Sequence, residues 1–231
     1  EIMSSDWSSD VCSSDLSRAD AEGLNRRMAA LAKEAAGDKA FVAGSVGPTG
    51  HFVKPLGPLT MAELVEAFKE QIKGLAQGGV DLILAETHFD LAEVKAVVLA
   101  AREVCDLPVA VSMTFEDGAC LTGSSPEIFA RTMDNLGVEV VGTNCSAGPE
   151  QMAETVKVLA RSCQAAILAE PNAGLPELDD NGDTVFRMGP ETFADALAPY
   201  PGLGAGILGG CCGTTPDHIR LLANACSGRP V

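Results

Sequence analysis

Basic residues are scarce in this chain: 16 Lys+Arg stand against 32 Asp+Glu, a formal charge of −16. Such a surface repels nucleic acid and anionic membranes, so neither is an expected partner and a small ligand is the better expectation. Long apolar runs are also missing. Nothing approaches the roughly 20 consecutive apolar residues of a membrane helix. No charged n-region precedes an apolar segment at the start, so a cytoplasmic location is the default expectation. A small secreted disulfide framework is absent as well, because the eight cysteines are not spaced like one. With 231 residues, 46% of them hydrophobic, the chain buries one sizeable core without staples and fits one large α/β domain. Reduced thiols follow as the expectation.

Among those thiols, Cys105, Cys163 and Cys226 fall on apolar faces of expected helices and read as core, while Cys120 sits in an expected loop. The informative ones lie in Gly209-Gly210-Cys211-Cys212-Gly213 and Gly142-Thr143-Asn144-Cys145. Neighbouring side chains on a regular strand point to opposite faces, so Cys211 and Cys212 share one metal only if the backbone bends sharply between them. Gly209, Gly210 and Gly213 permit that bend. Thiolates suit Zn²⁺, and a three-cysteine site leaves a fourth position for substrate or water, which is the pattern of a catalytic zinc. Three buried apolar thiols, or a strained vicinal disulfide, are the alternative readings of the same residues.

Residues 1–16 repeat a Ser-Ser-Asp unit with little that packs, and read as a non-native or disordered tail resembling translated sequencing-adapter DNA. Residues 17–231 then form the domain. From residue 20, helices and strands alternate. Leu24, Met28, Leu31 and Ala35 recur at helical spacing, followed by an apolar strand from Phe41 to Val46. Thr60-Met61-Ala62-Glu63 is a capping box opening a helix with Leu64, Phe68, Ile72 and Leu75 on one face. Strand 81–85 comes next, then a helix capped by Asp90 or Glu93 with Val94, Val97, Ala101 and Val104 inward, and strand 108–113. Ser125-Pro126 starts a helix carrying Ile128, Thr132 and Leu136, and strand 138–143 leads to Cys145. Pro149 starts a helix with Met152, Val156, Leu159 and Cys163, and strand 165–169 leads through Pro171-Asn172-Ala173-Gly174 into a longer loop. Pro190 opens a helix with Phe193 and Leu197, strand 205–208 follows, and Thr215-Pro216 starts a closing helix with Ile219, Leu222 and Cys226.

Six near-continuous apolar strands joined through helices imply a parallel sheet with right-handed crossovers. Polar residues gather where the strands end: Thr49, Glu86, Thr114, Asn144 with Cys145, Glu170 with Asn172, and Cys211 with Cys212. A (β/α)8 TIM barrel brings such ends to one face, where its active sites lie. The expected fold is therefore an α/β barrel truncated at its N-terminus, with about six of eight β/α units present; an open doubly wound sheet is the alternative.

The chain from about residue 20 to 226 resembles the zinc-dependent barrel of homocysteine S-methyltransferases. The similarity rests on Gly44-Ser45-Val46-Gly47-Pro48-Thr49-Gly50, Glu86-Thr87 with Phe89-Asp90, Asn144-Cys145-Ser146-Ala147-Gly148-Pro149-Glu150, Pro171-Asn172-Ala173-Gly174-Leu175-Pro176, and the stretch from Gly209 to Ile219. The double cysteine marks the whole superfamily; the Asn-Cys-Ser-Ala-Gly-Pro-Glu and Pro-Asn-Ala-Gly-Leu-Pro stretches point to the cobalamin-dependent branch. The family's opening Asp-Gly-rich strand and its second strand are not found here.

The resemblance implies a methyltransferase that binds homocysteine and activates it as a thiolate on Zn²⁺ held by Cys145, Cys211 and Cys212. Methylcobalamin on a separate module is the implied donor, and cobalamin- and folate-binding modules are the implied partners. Betaine or S-methylmethionine as direct donor, or an inactive zinc-binding barrel fragment, remain alternatives. Glu86 is expected to receive the homocysteine ammonium. Asn144, Asn172 and Thr49 are further expected substrate contacts, with a loop-shaping hydrogen bond the competing role for Asn172 and a simple turn that for Thr49. His88 and His218 read as structural or surface residues.

Overall fold

The computed structural model describes residues 20–226, so the expected tail at 1–16 lies outside the described residues. The chain divides into two units, Glu1–Val111 and Ser112–Val231.

In the first unit, α1 (Ala21–Ala36) precedes β1 (Ala43–Val46), α2 (Met61–Gln77), β2 (Leu82–His88), α3 (Leu91–Val104) and the start of β3 (Val109–Met113). β1 and β2 pair in parallel, with Ala43 opposite Leu82 and Val46 opposite Ala85. The capping box of α2 is complete: Thr60 accepts from the Glu63 N–H, and Glu63 accepts from the Thr60 N–H. Asp90 caps α3 by accepting from the Ala92 N–H. Leu64, Phe68, Ile72 and Leu75 are buried, as are Val94, Val97 and Ala101. The first strand starts later than its sequence suggests, because Phe41 is 73% exposed.

The apolar stripe of α1 faces away from the core. Met28 and Leu31 are exposed, and the buried positions are Ala29 and Ala36. The cause lies on α2 and its C-cap, where a Cβ at Gly74 would come within 2.3 Å of the Glu22 carbonyl and one at the capping Gly78 within 2.4 Å of the Ala29 Cβ. Backbones that close admit only small side chains, so α1 turns its alanine face inward.

The second unit contains the end of β3, then α4 (Pro126–Asn135), β4 (Val140–Asn144), α5 (Pro149–Ser162) and β5 (Ala166–Glu170). A hairpin of β6 (Pro176–Leu178) and β7 (Thr184–Phe186) follows, then α6 (Pro190–Leu197), a 3₁₀ turn (Tyr200–Leu203), β8 (Ile207–Leu208) and α7 (Pro216–Cys226). Proline at the first turn of α4, α5 and α6 starts each helix where its missing N–H costs nothing. The inward face of α4 is Phe129, Ala130 and Met133, one residue out of step with the expected Ile128, Thr132 and Leu136. The hairpin occupies the expected long loop; its strands have three residues each and are largely exposed, so no apolar alternation announces them.

The main sheet runs in the order β1-β2-β3-β4-β5-β8, so strand order follows chain order through β/α units. β4 pairs with β5 in parallel, Asn144 opposite Glu170, and β5 with β8, Ala169 opposite Leu208. These registers put the C-terminal ends of three strands side by side.

Candidate metal centre

The ends of β4, β5 and β8 are laced together by backbone hydrogen bonds that continue past the strands. The Cys145 N–H donates to the Glu170 carbonyl at 3.1 Å, Cys211 N–H to Pro171 at 2.9 Å, and Ala173 N–H to Cys212 at 2.9 Å. Cys145 and Ser146 both adopt left-handed backbone, with φ of 59° and 50°. Two successive non-glycine residues there store strain on the order of 1–3 kcal/mol each. The Cys145 N–H bond and the Ser146 hydroxyl, which donates to the Phe115 carbonyl, hold the bend in place.

The glycines around the double cysteine serve two purposes. Gly213 has φ +77°, and a Cβ there would also lie 2.3 Å from the Phe186 Cβ. Gly210 is needed for room: a Cβ would come within 2.4 Å of Thr214.

The outcome is that Cys145, Cys211 and Cys212 converge. Their sulfurs all lie within 4.8 Å of one another, with 3.8 Å between Cys145 and Cys212 and 4.0 Å between Cys211 and Cys212. A disulfide needs an S–S distance of about 2.05 Å, so the vicinal disulfide considered from the sequence is not present. Zinc–sulfur bonds of about 2.3 Å in a tetrahedron place ligand sulfurs about 3.8 Å apart, and the cluster matches that spacing. Each cysteine is half-buried, so the simple reading of fully buried core thiols does not hold either.

The acidities within the cluster diverge. Hydrogen bonds from the Cys211 and Cys212 thiols hold Cys145 well below the usual thiol range, against the opposing effect of burial. Cys211 is pushed far up by its hydrogen bond with Cys145, then by Cys212 and by burial. One thiolate forms readily and its charge opposes the next. A divalent cation removes that opposition, and three thiolates are the donor set that Zn²⁺ takes.

Asparagines brace the sulfurs. Asn144, fully buried, donates from Nδ2 to Cys211 Sγ at 3.7 Å and accepts from the Ser112 hydroxyl at 2.7 Å. Asn172 accepts from the Cys212 N–H at 3.1 Å through Oδ1, a loop-shaping bond. Ser112 went unremarked in the sequence, although a serine inside the otherwise apolar and fully buried Val109–Met113 was a signal.

The remaining candidates lie in the first unit. Glu86, near the end of β2, accepts from the Ser45 hydroxyl at 2.5 Å, and burial raises its carboxyl above the ordinary range despite that bond and the nearby His88. Thr49 donates its N–H and its hydroxyl to Glu93 Oε1, at 2.7 and 2.6 Å. His88 is fully buried, its Nε2 3.0 Å from the Val46 carbonyl and its Nδ1 3.6 Å from Glu93. His218 is buried too, with Nδ1 on Thr215 and Nε2 on the Met188 carbonyl, so both histidines are structural. Cys120 is buried beside the Thr122 hydroxyl, and Cys163 lies in the core. No described helix is long and apolar enough to cross a membrane.

A sequence model of the family described as homocysteine S-methyltransferase matches residues 6–226. Methionine synthase of Mycobacterium leprae (strain TN) is 38% identical over 194 residues, covering 81% of this chain and 16% of that protein. Methionine synthase of Mycobacterium tuberculosis (strain ATCC 25618 / H37Rv) is 36% identical over 215 residues, 87% of this chain and 18% of that protein. The chain thus spans about a sixth of the length of these curated relatives. In structure it is similar to the apo homocysteine methyltransferase MmuM from Escherichia coli, with TM-score 0.67, 23% identity, and coverage of 88% of this chain and 75% of that one. The metallated form of MmuM gives TM-score 0.69 at 21% identity, with coverage of 88% and 70%. At these identities the likeness is one of fold, and it agrees with the (β/α)8-barrel class expected from the strand and helix order.

Proposed function

The chain belongs to the homocysteine S-methyltransferase family, and from that premise we propose that it is the homocysteine-activating part of a methionine synthase. Cys145, Cys211 and Cys212 would hold Zn²⁺, and their convergence to within 4.8 Å is the observation that carries the reading. Bound there, Zn²⁺ supplies the positive charge that lets the homocysteine thiol lose its proton near neutral pH, where a free thiol with pKa about 8.5 stays mostly protonated.

The chain's own residues do the rest. The three cysteines contribute negative charge that keeps an incoming sulfur electron-rich, and the left-handed bend at Cys145 and the glycines near Cys212 fix their spacing. Glu86 is assigned to the substrate ammonium, a cation that would offset its burial. Asn172 shapes the Cys212 loop. Thr49 holds the loop after β1 against Glu93. The methyl donor is assigned to methylcobalamin on a separate module, with a folate-binding module as a further partner. Support for that choice comes from two methionine synthases, each much longer than this chain.

The test is zinc stoichiometry together with proton release on homocysteine addition, for the wild type and Cys211→Ser. One zinc per chain, weakened in the variant, and a proton released on homocysteine addition are expected. A zinc content of zero, or bound zinc indifferent to homocysteine, overturns the reading.

A further inference from the structure

The cysteine cluster poses a selectivity problem. Resident cysteine sulfurs and the substrate thiol face the same electrophilic methyl group, yet a methyl on a resident cysteine would destroy the site. Thiolates are intrinsically similar nucleophiles, so selectivity needs a difference in their surroundings. An N–H donor aimed at a thiolate provides one: a charge-assisted hydrogen bond stabilises the sulfur lone pair and lowers its readiness to attack.

The second unit contains such a donor, and its orientation is determined. A thiolate only accepts hydrogen bonds, so the NH₂ of Asn144 must be the end that faces Cys211, at 3.7 Å. The other end is fixed by Ser112, whose hydroxyl donates to Asn144 Oδ1 at 2.7 Å. Both residues are completely buried, so water does not compete for either bond. Cys145 has its own donors, the Ser146 backbone and the Asn172 side chain.

We propose that Asn144, oriented by Ser112, is a positioning residue that quenches the Cys211 sulfur, steering an electrophile away from the resident cysteine and towards the substrate thiol. The proposal rests on the zinc reading of the cluster. It adds Ser112 to the residues that matter for the chemistry, although Ser112 touches neither sulfur nor substrate.

The experiment uses the full 231-residue chain loaded with Zn²⁺ and treated with limiting iodoacetamide. A sulfur lone pair displaces iodide, the S–C bond forms, and iodide leaves with the bonding pair; peptide mass spectrometry then reads the rate at each cysteine. In Asn144→Leu, Cys211 should be alkylated faster by on the order of tenfold, the factor for losing one charge-assisted hydrogen bond, with Cys145 unchanged. Ser112→Ala keeps the amide and removes only its orienting partner, so a smaller rise at Cys211 alone is expected, and this milder variant serves if Asn144→Leu fails to fold.

With Co²⁺ in place of Zn²⁺, the sulfur-to-metal charge-transfer band should move to lower energy in both variants. An unchanged Cys211 rate in metal-loaded protein overturns the proposal while leaving the zinc reading intact. A parallel rise at all three cysteines also overturns it, because that is loosening of the fold. Failure of the wild type to take up metal overturns the zinc reading and this proposal with it.

Discussion

Burial acts on both Glu86 and Glu93, with opposite outcomes. At Glu86 burial prevails over the Ser45 hydrogen bond and His88, so the carboxyl is raised. At Glu93 burial is outweighed by His88 and the two Thr49 donors, so the carboxyl is lowered. The consequences for stability have opposite signs. Folded Glu86 holds its proton more tightly than the unfolded chain does, so stability falls as pH rises from the ordinary carboxylate range through the raised folded value. Glu86→Gln should therefore unfold at a higher temperature than wild type at pH 7, and the gain should vanish near pH 4, while homocysteine binding is lost. Melting temperatures against pH for both proteins check this. Glu93 contributes stability above its unfolded value that is lost as pH falls through its lowered folded value. Glu93→Gln should cost about 2 kcal/mol at neutral pH, the scale of hydrogen bonds to a buried charge, as read by denaturant unfolding.

Helix α4 shows what periodicity resolves and what it misses. Its start was legible, because Ser125 caps it and Pro126 opens it. Its phase was not: Ile128 is 53% exposed and Phe129 fully buried, although both are large and apolar. Adjacent apolar residues leave a helical wheel two choices, and only packing decides between them. Phe129→Ala should cost about 3–5 kcal/mol for the cavity left behind, whereas Ile128→Ala should stay within about 0.5 kcal/mol; equal costs in denaturant unfolding would contradict the assigned phase. In α1 the pattern was equally clear and its direction wrong, because Gly74 in α2 and Gly78 at its C-cap demand small neighbours. Where large and small residues segregate cleanly, as in α2 and α5, the inward face was read correctly. The β6–β7 hairpin was invisible because its strands are short and largely exposed.

At the scale of the molecule, the cysteine cluster was legible because each of its cysteines lies just past the end of a strand, and parallel strands in chain order bring their ends together. The bracing by Ser112 and Asn144 was harder to read, since it depends on side-chain register between neighbouring strands rather than on any local motif. The same topology decides what metal does to stability. All three sulfurs belong to Ser112–Val231, and the outermost two, on Cys145 and Cys212, are 67 positions apart in the chain. An ion bound only by the folded state adds its binding free energy to folding, about 2.7 kcal/mol when free metal is a hundredfold above its dissociation constant. For a chain of this length that corresponds to a rise of roughly 5–10 °C in melting temperature. Zinc should therefore raise the unfolding transition of the wild type by that amount, a chelator should reverse it, and Cys211→Ser should show little of either. The Gly213→Ala variant separates ligand loss from loop geometry. It keeps every sulfur but forces a Cβ into left-handed backbone and against Phe186, so its zinc-dependent shift should shrink although its cysteines are intact. A full zinc shift in Gly213→Ala would mean that the loop adapts freely and that the tight spacing of the sulfurs is not set by the backbone.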